Sequence, residues 1–156
     1  MRITMVAVGQ RQPPWANAAV NEYLSRLPVE FKVECKLIKA EPRNGNIPVA
    51  RVLSSEAARI RTALPRNAWL IALDERGKDW TTQQFAGQLQ RWRDSAEDIA
   101  FAIGGADGLD AELKQQARTL LRLSSMTLPH ALARVMLSEQ LYRASSMLAG
   151  HPYHRA

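Results

Sequence analysis

Short apolar segments alternate with longer segments of helical period along the whole chain. The segments at 68–74 and 98–105 are apolar without alternation, as expected of central strands covered on both faces. Segment 31–38 instead alternates apolar and charged residues, which predicts a more peripheral strand with one wetter face. The pattern predicts a single α/β domain over residues 1–156, with a mostly parallel sheet flanked by helices.

The remaining elements follow from the same periodicity. A first strand is predicted at 3–8, helices are predicted at 49–64 and at about 131–149, and 123–130 is predicted to be a short strand or a loop. Three further helices are predicted from their apolar faces and caps: one with Trp15, Ala19, Tyr23 and Leu27; one capped by Thr81, with Phe85, Leu89 and Trp92; and one capped by Asp110, with Leu113, Ala117 and Leu120.

The last predicted helix has more apolar surface than one buried face requires. Its main apolar line is Leu137, Leu141, Ala144 and Leu148, and it is widened by Leu132, Val135, Met136 and Tyr142. This breadth predicts deep burial or a contact between subunits. Glu139 and Arg143 stand at i and i+4, and we expect them to form an ion pair.

The charge of the chain favours a polyanionic partner. With 21 Lys and Arg against 15 Asp and Glu, the formal net charge is +6, and nucleic acid is the simplest partner of such a chain. The single cysteine, Cys35, suits a reducing compartment, and the N-terminus resembles no signal peptide. We therefore expect a cytoplasmic protein, with no membrane span.

Candidate chemistry lies at the ends of predicted strands, where open α/β sheets bind their ligands. The relevant segments are 73–78, 103–108 and 124–130. The glycines of IGGADG have GGxxG spacing, which fits neither the dinucleotide fingerprint nor a P-loop. Taken alone, the glycine segment can be a plain turn, and 124–130 can simply cap the last helix.

Metal and nucleophilic chemistry find little support in the sequence. His151 and His154 have H-x-x-H spacing, but no further ligand lies near them in the sequence to complete a metal site. No GxSxG motif is present. We therefore expect a protein that needs no metal.

Several motifs in order resemble one family across the whole chain. IGGADGL, SSMTLPHALARVMLSEQLYRA and HPYHR, together with MRITMVAVG, W…EYL and LDERGKDW, are similar to the small ribosomal RNA large subunit methyltransferase H family. Members of this family are SPOUT-class enzymes that methylate N3 of a pseudouridine in 23S rRNA. The resemblance implies a C-terminal trefoil knot, a homodimer with active sites at its interface, and S-adenosyl-L-methionine as cofactor.

The resemblance also implies which residues bind the cofactor, mainly through their main chain. These are Leu73, Gly105, Ser124, Ser125, Met126, Thr127, Leu128 and Pro129. They fall in the same strand-end segments that the pattern indicates. The sequence departs from the family at Ala106 and Asp107, where Pro-Glu or a similar pair is expected.

The C-terminal segment is the candidate catalytic and RNA-binding element. His154 is the candidate general base, Arg155 a charge stabiliser or phosphate ligand, and Tyr153 a ring on which a base can stack. His130 is a second candidate base, although it can equally cap the last helix. The expected substrate is 23S rRNA in assembled ribosomes. A non-catalytic RNA-binding or ribosome-associated module and a tRNA methyltransferase of the same clan remain alternatives, as does a frayed tail.

Overall fold

A computed structural model describes residues 1–155, and the side chains of residues 1–153. Its elements in chain order are β1 (Arg2–Val8), α1 (Pro14–Ser25), β2 (Lys32–Ile38), α2 (Val49–Ala63), β3 (Trp69–Asp79), α3 (Thr82–Asp94), β4 (Ile99–Ile103), α4 (Ala111–Gln116), β5 (Thr119–Arg122), α5 (His130–Leu148) and a 3-10 turn at Pro152–Arg155. The strands form one five-stranded sheet in the order β2-β1-β4-β3-β5.

All strand pairs in the sheet are parallel, which confirms the predicted α/β class. Strand β4 is buried at every residue between β1 and β3, as its continuous apolar sequence predicted. Strand β2 lies at the edge and keeps one partly exposed face, also as predicted. The C-terminal knot that the resemblance implies stays a prediction.

A separate hydrophobic core covers each face of the sheet. Ile3 and Met5 of β1 point to the core that includes α3 and α5, whereas Val6 and Val8 point to the core that includes α2 and α4. Because neighbouring side chains of a strand point to opposite faces, β1 contributes to both cores. Helix α5 lies between α1 and α3 and packs against both.

The local signals at three helices were read correctly. Thr81 caps α3 with a complete capping box, and Asp110 caps α4 by accepting a 3.2 Å hydrogen bond from the backbone N–H of Leu113. Glu139 and Arg143 form the expected ion pair, with 2.8 Å between Oε1 and Nη2. These features depend on residues that are close in sequence, so the pattern contains most of the necessary information.

The region after α4 differs from the prediction. Helix α4 ends at Gln116, and Leu120 lies in β5, so the helix predicted to include Ala117 and Leu120 was wrong in its second half. The backbone N–H of Arg118 donates to the carbonyl of Leu70 at 2.9 Å, and the following residues pair with β3. The edge of β3 thus supplies backbone partners that a continued helix could not use.

Strand β3 continues five residues beyond the predicted end at Asp74. A bulge lies between Leu73 and Lys78, both of which pair with Leu121. At Gly77 a Cβ atom would lie 2.7 Å from the backbone nitrogen of Leu121, so only glycine fits this close approach. The bulge therefore pushes residues 74–77 out of the sheet at its carboxyl edge.

The apolar face of α1 was predicted one residue out of register. Ala16 and Val20 are the buried residues of the helix, whereas Trp15 is 57% exposed and Ala19 is only partly buried. A shift of one residue rotates the buried face by about 100°. The face of α1 that carries Ala16 and Val20 is therefore the covered one, and Trp15 lies outside it.

Candidate active site

An open cleft of about 550 Å³ lies where β3, β4 and β5 end. Residues from all the strand-end segments indicated by the sequence meet in it, because parallel strands bring their carboxyl ends to the same edge of the sheet. The lining includes Leu73 to Arg76, Ile103 to Leu109, Lys114, Leu121 to Ser124, Met126 to Leu128, His130 and Ala133.

The loop after β4 turns so tightly that the backbone of Gly108 leaves no room for a side chain at Gly104. A Cβ atom at Gly104 would lie 2.5 Å from the carbonyl carbon of Gly108, so Gly104 cannot be replaced without moving the loop. Gly108 adopts φ of +80°, a left-handed conformation that glycine adopts easily, and its N–H donates to the carbonyl of Gly105 at 3.1 Å. The loop therefore presents main chain to the cleft.

The loop between β5 and α5 forms another wall and has spare hydrogen-bonding capacity. Its Met126 N–H donates to Ser124 Oγ at 3.0 Å. No backbone group of residues 1–155 and no side chain of residues 1–153 accepts a hydrogen bond from the backbone N–H of Thr127 or of Leu128. These donors are available to a ligand that carries acceptors along its edge.

Most of the predicted cofactor residues come together in this cleft. Those that line it are Leu73, Gly105, Ser124, Met126, Thr127 and Leu128. Ser125 and Pro129 belong to the same loop but do not line the cleft, and Pro129 is the N-cap residue of α5. That any of these eight residues binds a cofactor stays a prediction.

Charged side chains at the cleft are mostly held in pairs. Asp74 lies 3.4 Å from Lys114 Nζ, and Asp107 lies 2.7 Å from Arg43 Nη2 of the loop after β2. Sequence reasoning did not single out Lys114, because it is one of many lysines and arginines and its pairing with Asp74 crosses between distant segments. The cleft therefore offers charges of both signs to a ligand.

Arg122, at the end of β5, belongs to the same wall. Its Nε donates a 2.7 Å hydrogen bond to Asp79 Oδ1, and its Nη2 contacts the other carboxylate oxygen. Hydrogen bonding to Arg122 lowers the pKa of the Asp79 carboxyl. The paired guanidinium is thus held in place at the edge of the cleft.

His130 lies at the cleft as the first residue of α5. Pro129 takes the N-cap position and no side-chain hydrogen bond caps the helix, so the capping role considered for His130 is wrong, and of the residues in 124–130 expected to cap the helix only Pro129 does so. The imidazole is partly buried. Its role as a candidate base stays a prediction.

The C-terminal turn packs against the second half of α5. The phenol of Tyr153 donates to Glu139 Oε1 at 3.1 Å, its ring centroid lies 4.5 Å from that of Tyr142, and the Arg143 guanidinium lies 4.9 Å from the ring centroid. Desolvation, followed by the Glu139 carboxylate, raises the pKa of Tyr153 to about 12. The C-terminal turn is therefore docked on α5 of the same chain, and the ring of Tyr153 is already in contact with Tyr142 and Arg143.

Tyr153 is not brought to the cleft within one chain, whereas His130 lines it. Glu139, which holds Tyr153, lies nine residues after His130, or about 13.5 Å along the helix axis. His154 and Arg155 lie in the 3-10 turn, but their side chains lie outside the described part of the molecule. Their predicted roles stay predictions.

Two classes of site find no support in the described residues. Among the described side chains, those of residues 1–153, no group of three or more His, Cys, Asp and Glu is placed to hold a metal ion. None of the helices in the same range is both long enough and apolar enough to cross a membrane.

Solved structures superpose on most of this chain. A probable methyltransferase from Bordetella pertussis Tohama I superposes with a TM-score of 0.58 at 16% identity, covering 92% of this chain and 94% of that one. TrmJ from Z. mobilis ZM4 superposes with a TM-score of 0.54 at 16% identity, covering 90% of this chain and 69% of that one. At this identity the likeness shows the fold alone.

The sequence comparisons define the family. Residues 1–154 match the family described as "Predicted SPOUT methyltransferase". Proteins named ribosomal RNA large subunit methyltransferase H from Paraburkholderia xenovorans and Burkholderia lata are each 52% identical to this chain, over 99% and 100% of both sequences respectively. The chain belongs to the SPOUT methyltransferase family, which confirms the family predicted from the motifs.

Proposed function

We propose that the chain is an S-adenosyl-L-methionine-dependent methyltransferase that methylates N3 of a pseudouridine in 23S rRNA. The observation that carries the proposal is the convergence of the strand ends at 73–76, 103–109 and 121–128 in one cleft. The names of relatives that are 52% identical over nearly the whole chain support the rRNA substrate. We further propose that the substrate is the assembled ribosome, which would place the activity in the cytoplasm.

The cleft fits the proposed cofactor. Its volume of about 550 Å³ lies within the ordinary range for small-molecule sites. The N–H groups of Thr127 and Leu128 can pair with an adenine edge, and Asp74 and Lys114 can face the zwitterionic amino-acid end. When bound, S-adenosyl-L-methionine supplies a methyl group already activated by its attachment to a sulfonium. In this proposal no metal is needed.

The residues of the chain then have two tasks. The cleft walls must hold N3 of the base in line with the methyl group, because orientation is the main requirement of such a transfer. The N3 proton must also be removed, and we assign this role to His154, with His130 at the cleft as the second candidate. Arg155 would stabilise the negative charge that develops on the base or bind a neighbouring phosphate.

The geometry favours a homodimer with active sites at its interface. Tyr153 is bound to Glu139, which lies about 13.5 Å from His130 along the axis of α5. The tail of a second copy is therefore the simplest source of catalytic residues for each cleft. Within α5, every residue is at least partly buried, and Leu132 and Val135, which belong to its wide apolar surface, are only partly covered in one chain. A partner helix would complete their burial. The trefoil knot of the family belongs to the same proposal.

The proposal is tested by mapping rRNA modifications by mass spectrometry in cells that lack this protein. We expect one methyl group to disappear from a single 23S pseudouridine and to return when purified protein and S-adenosyl-L-methionine are added to ribosomes. A change in tRNA would favour the tRNA methyltransferase. Unchanged RNA, with no binding of S-adenosyl-L-methionine in calorimetry, would favour a non-catalytic RNA-binding module.

A further inference from the structure

A second, smaller cavity of about 150 Å³ adjoins the cleft. This side cavity lies between the beginning of α3, the middle of α5 and the end of β5. Leu121, Arg122 and Leu123 line both the side cavity and the cleft, so one short segment of chain separates the two spaces. The other lining residues are Trp80, Thr82, Phe85, Met136 and Gln140.

We propose that the side cavity binds the target base of the RNA, a pyrimidine turned out of its strand, beside the methyl donor. This inference rests on the proposed function, since it assigns a place to that substrate. The size suits a single six-membered ring, because a cavity of about 150 Å³ in another protein admits benzene. A purine has a second fused ring and would be disfavoured.

The aromatic wall of the side cavity suits a flat base. The rings of Trp80 and Phe85 lie 6.2 Å apart between centroids at an interplanar angle of 23°. Trp80 is only partly buried, so part of its ring is available to a ligand. Unstacked RNA bases are commonly held on such aromatic side chains.

The polar wall is formed by an oriented amide. Thr82 Oγ1 donates to Gln140 Oε1 at 2.8 Å, and Gln140 Nε2 donates to Glu139 Oε2, also at 2.8 Å. The opposite orientation of the amide would place its oxygen against the carboxylate, so this orientation is fixed. The amide nitrogen retains a second N–H, which can donate to a carbonyl oxygen of the base.

This donor matches the chemistry of a uracil-like base. N3 of such a base is flanked by two carbonyl oxygens, and negative charge spreads onto them when N3 loses its proton. A hydrogen bond from Gln140 to one carbonyl would stabilise that charge. Gln140 is thus assigned as a substrate-binding residue.

The C-terminal turn is linked to the side-chain amide of Gln140 by hydrogen bonds to Glu139. Glu139 Oε1 accepts hydrogen bonds from the Tyr153 phenol at 3.1 Å and from Arg143 Nε at 2.8 Å, while Oε2 accepts from Gln140. Tyr153 is therefore a positioning residue that acts on Gln140 through Glu139. Tyr153→Phe should raise KM for ribosomes and leave the affinity for S-adenosyl-L-methionine unchanged.

The test uses full-length protein, tritiated S-adenosyl-L-methionine and assembled ribosomes from cells lacking the protein. Met136→Trp should fill the side cavity and abolish methyl transfer, while calorimetry gives an S-adenosyl-L-methionine affinity near that of the wild type. Gln140→Leu keeps the size of the side chain and should lower kcat/KM by about 10- to 100-fold, because a base carbonyl loses its donor. Gln90→Leu, at an exposed position of α3, is the matched control and should methylate normally.

The outcomes separate the inference from the proposed function. If Met136→Trp and Gln140→Leu both methylate at the wild-type rate, the side cavity does not bind the base. If Met136→Trp converts a dimer to a monomer while Gln140→Leu remains fully active, the side cavity is part of a subunit interface and the inference is also overturned. If Met136→Trp does not fold, the test rests on Gln140→Leu and on Thr82→Val, which removes the hydroxyl that orients the Gln140 amide. Wild-type rates of methyl transfer in both variants would overturn the inference. If the wild-type protein itself transfers no methyl group, the proposed function fails before the variants are compared.

Discussion

The phenol of Tyr153 donates a 3.1 Å hydrogen bond to the carboxylate of Glu139, fourteen residues earlier in the chain. Glu139 lies in the middle of α5, and its other oxygen accepts from Gln140 at the side cavity. A chain terminus that would ordinarily fray is therefore attached to the helix that carries the candidate site. This contact makes the tail a structural element as well as a candidate catalytic one.

The Tyr153 contact predicts a distinctive alkaline titration. Desolvation and Glu139 raise the pKa of Tyr153 from 10.0 to about 12, so the folded protein keeps this proton where the unfolded chain loses it. The contribution of Tyr153 to stability is thus complete below pH 10 and is lost as the pH rises from about 10 to about 12. The difference in tyrosinate absorbance between wild type and Tyr153→Phe should have its midpoint near 12, and a midpoint near 10 would contradict the contact.

Two adjacent glycines should respond differently to substitution. Gly104→Ala would place Cβ 2.5 Å from the backbone of Gly108, and we expect a loss of about 1–3 kcal/mol in the free energy of unfolding. Gly105→Ala would meet only a methyl group of Val8 at 3.2 Å, which can move, so its stability should stay near that of the wild type. Urea denaturation measures both variants, and equal losses would refute this account of the loop.

Enlarging Gly105 further tests the cofactor assignment. Gly105 lines the cleft and its Cβ would face the buried Val8, so the bulk of Gly105→Val should displace this wall of the cleft and weaken the binding of S-adenosyl-L-methionine. Calorimetry with a chelator present should give the same affinity for the wild type as calorimetry without it. Unchanged binding in Gly105→Val, or loss of binding on chelation, would contradict the proposed site.

Removing residues 151–156 should separate folding from catalysis. Tyr153 packs on Tyr142 and Arg143, so we expect a loss of about 1–2 kcal/mol in stability, more than an unattached tail would cause. S-adenosyl-L-methionine affinity should persist while methyl transfer to ribosomes is lost. A truncated protein with normal activity would move the base assignment to His130.

Single substitutions in the tail should divide the two proposed roles. Arg155→Ala should weaken ribosome binding with a reduced dependence on salt, because it removes a cation. His154→Ala should lower the rate at saturating substrate and change its pH profile. Identical kinetic effects of both variants would argue against separate roles.

Mixed dimers can show whether the tail acts on its own cleft or on the partner's. A Gly105→Val chain retains a normal tail, and a chain lacking residues 151–156 retains a normal cleft. If the tail acts across the interface, each mixed dimer contains one complete active site. Mixing the two inactive proteins should then restore up to about half of the wild-type activity. No recovery in verified mixed dimers would place tail and cleft of the same chain together.

Local sequence patterns were sufficient for much of the fold. The central strands at 68–74 and 98–105, the caps Thr81 and Asp110, and the ion pair in α5 are all present, although β3 continues to Asp79 and β4 ends at Ile103. Each depends on burial of a continuous apolar segment or on residues within one turn of helix, which is information that the local sequence contains.

Other features depended on contacts between distant segments. The four residues of β5 are compatible with either helix or strand, and the exposed edge of β3 decided for strand. The rotation of α1 followed from how closely it packs on α5, which the period of its apolar residues does not reveal.

By itself, then, the sequence determined the α/β class and, through its motifs, the family and the segments that line the cleft. Only the tertiary structure decided that Tyr153 docks on Glu139 and that Thr82 bonds Gln140, a residue 58 positions away. It also placed a second cavity of about 150 Å³ beside the cleft. The physical reason is that a cavity and its hydrogen bonds are formed by packing whole elements together, and no local pattern of residues specifies the space left between them.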